Sequence, residues 1–337
     1  MNTLFGLLII AAGSFCQSSS YVPINKVKEW AWESFWLTQG VFAWLVFPLM
    51  GALLAVPEGS SLGDVFAAAP VAALKAAAYG VLWGVGGLTF GLSMRYLGVA
   101  LGQSVSLGTC AGFGTLLPAL FGGTDLLEGK GLILLLGVCI TLAGIAVIGY
   151  AGSLRARNMT DEEKRAAVKE FALTKGLLVA LLAGVMSACF NLGLDAGRSL
   201  QLPEMNPLFA ALPATWMVTL GGFVTNAVYC LYQNAKNRTF GDYTRTELWA
   251  NNLLFCALAG GLWYSQFFGL AVGQSFFEPG SVVAAFAWCI LMALNVTFSN
   301  VWGILLKEWR GVGRRTIAVL VAGVALLIFS LVFPNLF

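Results

Sequence analysis

The sequence predicts an all-α polytopic membrane protein, with ten transmembrane helices arranged as two inverted five-helix repeats. Three observations lead to this prediction: the composition, the spacing of the apolar runs and the distribution of basic residues. Of the 337 residues, 58% are hydrophobic and only 10% are charged, and the mean hydropathy is +0.82. Because a soluble domain carries roughly 25% charged residues, much of this protein's surface is expected to face lipid.

Ten apolar runs are long enough to cross a bilayer, which takes about 20 mainly apolar residues in a helix. They cover residues 3–24, 34–56, 71–94, 97–121, 130–151, 176–198, 207–231, 249–272, 279–305 and 316–334. The first run lacks the basic start and the A-x-A cleavage site of a signal peptide. We therefore interpret it as the first spanning helix, and we expect it to be retained.

The connections between these runs are mostly short and leave no room for a soluble domain. The longest is the charged stretch 153–175, which predicts an interfacial amphipathic helix or a loop. This stretch divides the chain into a first five-helix repeat, 1–152, and a second, 176–337. Two five-helix halves joined by one connection are inverted with respect to each other, an arrangement typical of alternating-access transporters.

The basic residues indicate an orientation. Sixteen of the 19 lie in or beside the odd-numbered connections, while Lys75, Lys130 and Arg198 lie toward the other side. Lys and Arg are in excess in cytoplasmic loops, so the odd-numbered connections are predicted to be cytoplasmic and both termini to be outside. We expect the protein to lie in a bacterial inner membrane.

A weak internal repeat links the third and eighth segments. Gly80, Leu82 and Trp83 follow the same Gly-x-Leu-Trp pattern as Gly260, Leu262 and Trp263, and a Phe-Gly-Leu sequence comes later in both segments. The third segment also carries a small-residue stripe, formed by Gly80, Gly84, Gly87 and Gly91. Such stripes allow helices to pack closely in membranes, so we expect these glycines to serve packing.

Several function classes are excluded or disfavoured. The chain has no His, so neither a zinc site built from imidazole nor an imidazole proton relay can form. Its seven cysteines are scattered singly through apolar runs and are interpreted as packing residues. No GxxxxGK[ST] motif occurs, which disfavours an ATP-driven pump. An intramembrane enzyme is also disfavoured, because the acids are scattered. No cofactor, metal or nucleic-acid partner is expected.

Four sequence blocks, in order along the chain, resemble the L-rhamnose–proton symporter family. The first is Tyr21-Val22-Pro23 with the stretch from Lys26 to Glu33; the others are Leu82-Trp83-Gly84 with Met94 to Gly98, Gly261 to Tyr264 with Gln266 to Phe268, and Leu306 to Trp309 with Gly313 to Arg315. The resemblance implies a ten-helix fold of the drug/metabolite transporter superfamily. It further implies import of L-rhamnose, or a related 6-deoxy-hexose, together with a proton across the lipid bilayer.

Two acids are candidates for proton coupling. Asp195 lies late in the sixth segment, four residues after Asn191 and on the same helix face; the alternative is an interfacial ion pair with Arg198. Glu33 belongs to the first family block, so the resemblance carries it over as a coupling acid or as a gate partner of Lys26 or Lys28. The alternative for Glu33 is a charge at headgroup level.

A 6-deoxy-hexose needs directional hydrogen bonds for its hydroxyls and an aromatic ring for its apolar face. The polar and aromatic residues at plausible depth are Gln17, Trp83, Gln103, Asn191, Tyr264, Gln266 and Asn295. Each amide could instead form an interhelical hydrogen bond.

Charges at the segment ends are candidates for gate or interfacial pairs, namely Lys26, Lys28, Arg95, Lys307 and Glu308. A metabolite or drug exporter or exchanger of the same superfamily is the rival function.

Overall fold

The computed structural model describes residues 2–97, 99–157, 172–307 and 309–336, and these ranges contain helices and no strand. Ten of the helices are long and apolar enough to span a membrane. We number them α1 to α10: Thr3–Ser19, Trp32–Leu53, Pro70–Leu97, Val99–Phe121, Gly129–Arg157, Leu173–Ala196, Leu212–Asn237, Thr246–Gln274, Val282–Leu305 and Arg314–Val332. A further helical turn, Tyr21–Ile24, follows α1, and a short helix, Leu62–Ala68, precedes α3.

The ten predicted segments correspond one to one to these helices, and the ends differ by a few residues. The predicted segment 207–231 begins too early and ends too soon, since α7 runs from Leu212 to Asn237. Its last turns are polar, which a hydropathy scan reads as the end of the span, but Asn234 within them is fully buried. Most of the predicted connection 153–175 lies outside the described residues.

Helix α2 is not a continuous α-helix. Its first part, Trp32–Gly40, is followed by a π-helical turn, Val41–Val46, and then by an α-helical part, Phe47–Leu53. In a π-turn each N–H bonds to the carbonyl five residues earlier. Residues five apart therefore lie nearer to the same face than they would in an α-helix. Such turns occur frequently at functional sites.

The chain folds into two compact units. The first, here called the α1–α2 unit, consists of Asn2–Gly84 and Gly193–Phe276, and the second, the α4–α5 unit, of Val85–Leu192 and Phe277–Phe337. Each unit draws helices from both halves of the sequence. The predicted boundary between two inverted repeats is a different property of the chain, and it stays a prediction.

Within the α1–α2 unit, two glycines allow α3 and α7 to approach closely. A Cβ at Gly80 would collide with the carbonyl oxygen of Val218, and a Cβ at Gly221 would collide with that of Ala77. A Cβ at Gly87, further along the stripe, would point into space that no neighbouring helix of the described residues occupies within 4 Å. The glycines of the stripe therefore have different roles.

We expect Gly80→Ala to destabilise the protein, because overpacking of a close contact costs about 1–3 kcal/mol. Gly87→Ala is the matched control and should be neutral or slightly stabilising, since Ala favours a helix over Gly by about 1 kcal/mol. Thermal unfolding of the purified variants in detergent measures both effects. Equal unfolding temperatures for Gly80→Ala and the wild type would contradict this account of the α3–α7 contact.

Candidate functional site

Four indole rings from three helices meet in the α1–α2 unit and form what we call the tryptophan cluster: Trp36, Trp44, Trp83 and Trp263. Trp44 lies at its centre, with ring centroids 5.6 Å from Trp36, 6.0 Å from Trp83 and 5.9 Å from Trp263. All three contacts are edge-to-face, the geometry that the ring quadrupole favours. Trp44 is 4% exposed, whereas the other three rings are half-buried.

The cluster joins the two segments that share the internal repeat. Trp83 of α3 and Trp263 of α8 occupy equivalent positions in the Gly-x-Leu-Trp pattern, and their ring centroids are 5.8 Å apart. The ring of Trp83 packs directly against Gly222 of α7, where a Cβ would collide with it. The absence of a side chain at residue 222 thus determines where this indole lies.

Trp36 connects the cluster to a buried amide and to the start of α2. Its Nε1 donates to Oδ1 of Asn226 at 2.9 Å, and the amide of Asn226 donates in turn to the carbonyl of Gly222 at 2.8 Å. On its other side Trp36 stacks on Trp32, with centroids 5.4 Å apart. Trp32 is 49% exposed, so the row of indoles leads from the mouth of α2 into the unit.

The predicted coupling acid Glu33 is buried in the first turn of α2, with only 6% of its surface exposed. Its Oε1 accepts hydrogen bonds from the Asn237 amide and the Thr239 hydroxyl, each at 2.9 Å. Among the described residues, no Lys or Arg lies within ion-pair distance of this carboxylate. The expected alternative of a salt bridge to Lys26 or Lys28 is therefore not formed in this structure.

Neutral groups surround the carboxylate further out. The Thr239 hydroxyl shares its one proton between Glu33 and Oδ1 of Asn234, which is 2.9 Å away and also accepts from the Ser34 hydroxyl at 3.0 Å. The Tyr243 hydroxyl lies beside the same residues, 3.4 Å from the Asn234 amide, and burial raises the pKa of this phenol. Glu33 is thus an acid held entirely by neutral partners, within the part of the chain that the structure describes.

The side chains of Lys26 and Lys28, predicted as gate charges, are exposed, whereas the backbone of both residues is hydrogen-bonded to asparagines of α8. Asn252 is fully buried at the start of α8; its Oδ1 accepts from the Lys28 N–H at 3.0 Å and its Nδ2 donates to the Lys28 carbonyl at 2.9 Å. Asn251 donates to the Lys26 carbonyl at 3.0 Å. An ion pair does form nearby, between Arg245 and Glu29. The two asparagines hold the first connection against the start of α8, and the Arg245–Glu29 pair holds it against the seventh connection.

The second predicted acid, Asp195, has different surroundings. Its Oδ1 lies 2.9 Å from Nε of Arg198, and the two side chains are 35% and 78% exposed. Both residues are near the end of α6, so the structure contains the interfacial pair that the sequence offered as the alternative. An ion pair this exposed contributes little to stability, about 0–1 kcal/mol.

The other predicted sugar-binding residues of this unit have different surroundings, and the Tyr264 hydroxyl is buried without a hydrogen-bond partner in the described structure. The Tyr264 hydroxyl packs against Gly51 in α2. The Gln266 amide donates to the carbonyl of Trp263 on its own helix at 3.0 Å, and its backbone lies against Gly13 of α1. Gln17 accepts from the hydroxyl of Ser18 at 3.3 Å.

Three predicted residues belong to the α4–α5 unit. Asn191 donates to the carbonyl of Gly114 at 2.6 Å, an interhelical hydrogen bond between α6 and α4. Gln103 and Asn295 are half-buried in α4 and α9. Of the remaining predicted charges, Arg95 is at the end of α3, Lys307 is exposed just after α9, and Glu308 lies outside the described residues.

The α4–α5 unit also has an apolar cavity of about 690 Å³ between α4 and α5. Glycine, leucine, isoleucine and phenylalanine dominate its walls, and the few polar side chains are Ser104, Thr109, Tyr150 and Ser153. A sugar needs several directional partners, so this cavity fits a hydrocarbon better than a hexose. The tryptophan cluster and its amides remain the better candidate site.

Sequence reasoning missed Trp36, Trp44, Gln39 and Asn226. Trp32 and Trp36 are four residues apart at the start of the second segment, a spacing that places them on one helix face. That spacing could have indicated an aromatic face on α2. No pattern in the sequence identified Trp44, because its position depends on the π-turn.

A bundle of ten membrane-length helices that buries amides, a carboxylate and several indoles belongs to the class of multi-pass solute transporters. Comparison with known proteins narrows this class. A family model described as L-rhamnose-proton symport protein matches residues 1–335. The chain belongs to this family.

Relatives named L-rhamnose-proton symporter are similar over almost the whole chain. One from Cronobacter sakazakii (strain ATCC BAA-894) is 33% identical over 336 residues, which cover 96% of this chain and 95% of the relative. Another, from Yersinia pestis (strain Pestoides F), is 32% identical over 338 residues, covering 97% and 96%. A relative from Yersinia pseudotuberculosis (strain YPIII) has the same identity and coverage.

Proposed function

We propose that this protein imports L-rhamnose together with protons by alternating access. The observation that carries the proposal is the family match over residues 1–335, with relatives named for this activity that align along nearly their full length. The ten membrane-length helices fit such a transporter. Nothing in the described structure favours an exporter or exchanger over an importer.

The indole faces of the tryptophan cluster support a sugar site. A 6-deoxy-hexose has an apolar face and a methyl group, which pack against aromatic rings, and hydroxyls, which need donors and acceptors. Trp83 and Trp263 are half-buried and supply ring faces, Asn226 supplies an amide bonded to Trp36 and to the carbonyl of Gly222, and Gln39 supplies a buried amide on α2. The other amides and the tyrosine predicted from the sequence remain proposals as sugar ligands.

For proton coupling we propose Glu33 ahead of Asp195. A coupling acid changes its charge during the cycle, and a buried carboxyl with only neutral partners can do so without breaking an ion pair. Asp195 already has Arg198 as a counter-ion and is partly exposed to solvent.

We further propose that the protein lies in a bacterial inner membrane with its odd-numbered connections in the cytoplasm. The excess of basic residues in these connections supports this orientation. Within the α1–α2 unit, the first and seventh connections touch, since the N–H of Ala31 donates to Asp242 at 2.8 Å. Both are odd-numbered, so their contact is consistent with placing them on one side.

The test is the external pH of a weakly buffered, de-energised suspension of expressing cells, on addition of L-rhamnose. We expect alkalinisation, because each sugar that enters takes a proton with it. Cells without the protein are the control. Uptake of labelled rhamnose without any pH change would contradict proton coupling, and no uptake at all would contradict the sugar.

A further inference from the structure

Two buried polar side-chain atoms of α2 have no hydrogen-bond partner in the described structure. They are Oε1 of Gln39 and Nε1 of Trp44, and each residue is 4% exposed. Buried polar groups are nearly always hydrogen-bonded, and one that is not costs stability. Two such atoms on one helix, five residues apart, therefore need an explanation.

The π-turn of α2 places residues 39 and 44 toward one face of the helix. Gln39 immediately precedes Gly40, and Trp44 lies inside the turn Val41–Val46. In an α-helix, residues five apart face different directions, whereas the wider π-turn brings them toward one face. Gly40 is also required, since a Cβ there would lie 2.5 Å from the Trp44 ring. The indole is thus folded back against its own helix.

We propose that Gln39 and Trp44 form the polar ligand pair for the sugar, holding one hydroxyl or two neighbouring hydroxyls of the 6-deoxy-hexose. This assignment rests on the proposed function. An indole N–H can only donate and a carbonyl oxygen can only accept, whereas a hydroxyl does both. A hydroxyl that accepts from Trp44 and donates to Gln39 satisfies both atoms at once.

The surrounding indoles complete this site. Trp83 and Trp263 contact Trp44 edge to face on two sides, so their rings lie where they can pack against the apolar face of a sugar bound at Trp44. Both unpaired atoms are closed off from solvent in this conformation, so the sugar reaches them when the neighbouring rings move. Alternating access supplies such a movement.

The test measures binding of labelled L-rhamnose to the purified full-length protein in detergent, together with its thermal unfolding. The variants are Trp44→Phe, which keeps a ring but removes the N–H, and Gln39→Met, which keeps the length but removes the amide. We expect each to weaken binding by about tenfold, as for the loss of one buried hydrogen bond. For Gln39→Met we expect the unfolding temperature to stay the same or rise, because an unpaired polar atom has been removed, and for Trp44→Phe we expect a small fall from the cavity left by the smaller ring.

Trp216→Phe is the matched control. The Nε1 of Trp216 is also buried without a partner in the described structure, but its ring stacks on Phe66, with centroids 5.6 Å apart, and makes no ring contact with the tryptophan cluster there. Its rhamnose affinity should equal that of the wild type. If Trp44→Phe and Gln39→Met bind as the wild type does, or if they lose stability and keep affinity, the assignment is overturned.

Analogues of L-rhamnose that each lack one hydroxyl identify the bonded group. One analogue should bind the wild type more weakly than L-rhamnose does. In Trp44→Phe or Gln39→Met, the same analogue and L-rhamnose should bind equally well, because the residue that bonded the missing hydroxyl is already gone. If every analogue lost the same affinity in the wild type, in Trp44→Phe and in Gln39→Met, the assignment would be overturned. Failure of the proposed function looks different, because the wild type itself would then bind no rhamnose.

Discussion

Replacing Glu33 by Gln is expected to abolish the accumulation of L-rhamnose against a gradient while leaving equilibration of the sugar intact. The amide has the shape of the carboxyl but cannot carry a proton across. A membrane potential of about 100 mV is worth about 2.3 kcal/mol per charge, which corresponds to roughly fiftyfold accumulation. Loss of coupling should reduce that ratio to about one.

The fold should survive this substitution. Asn237 and Thr239 both donate to Glu33, and both can donate equally to the carbonyl oxygen of a glutamine. The measurement is steady-state uptake in energised vesicles beside counterflow of labelled sugar in de-energised ones. Counterflow requires only sugar binding and alternation, so its retention shows that the variant is folded and functional.

Glu29→Gln is the control for this experiment, because Glu29 lies four residues before Glu33, is exposed and is paired with Arg245 of the seventh connection. It should accumulate rhamnose as the wild type does. Undiminished accumulation in Glu33→Gln would rule out Glu33 as the coupling acid and make Asp195→Asn the next variant. Loss of accumulation in Asp195→Asn alone would assign the proton to α6.

Truncating either outer indole of the tryptophan cluster, Trp83→Ala or Trp263→Ala, is expected to raise the KM for L-rhamnose by about thirtyfold. Aromatic residues at the centre of a binding surface cost about 2 kcal/mol or more when truncated. Each indole would otherwise cover the apolar face of the sugar. The Phe variants retain a ring and should lose much less affinity.

The two rings touch each other, so their effects should not be independent. In a double-mutant cycle, Trp83→Ala and Trp263→Ala together should cost less than the sum of the single changes. Trp216→Ala, which removes an indole outside the cluster, should leave the KM unchanged. If the KM of Trp83→Ala stayed at the wild-type value in folded protein, Trp83 would not be part of the sugar site.

The spans could be predicted from the sequence, and their ends less well. Hydropathy found all ten helices because each must satisfy its backbone hydrogen bonds internally in lipid and present apolar side chains to it. It misplaced α7, because Asn234 and its polar neighbours continue the helix while bonding to α2. A hydropathy scan of one segment contains no information about the side chains of other helices that bond to it.

Some residues of the candidate site could be predicted from the sequence, and others were found only in the fold. Trp83 was a candidate from the sequence, in a segment that carries the internal repeat, but its contact with Trp263 is seen only in the fold. The place of Trp44 depends on a π-turn and on Gly40, neither of which has a hydropathy signal. The partners of Glu33, Asn237 and Thr239, are more than 200 residues away in sequence, so only the fold brings them to the carboxyl.

The sequence by itself determined the class of protein, its ten spans and its family, because the bilayer constrains composition over whole segments and the family blocks are local in sequence. The tertiary structure decided which polar residues could act together. It buried Glu33 among neutral donors, paired Asp195 with Arg198 near the surface, and gathered four indoles around one π-turn. The surroundings of Glu33 and of the four indoles depend on contacts between distant helices, which no single segment encodes, whereas Asp195 and Arg198 are three residues apart in sequence.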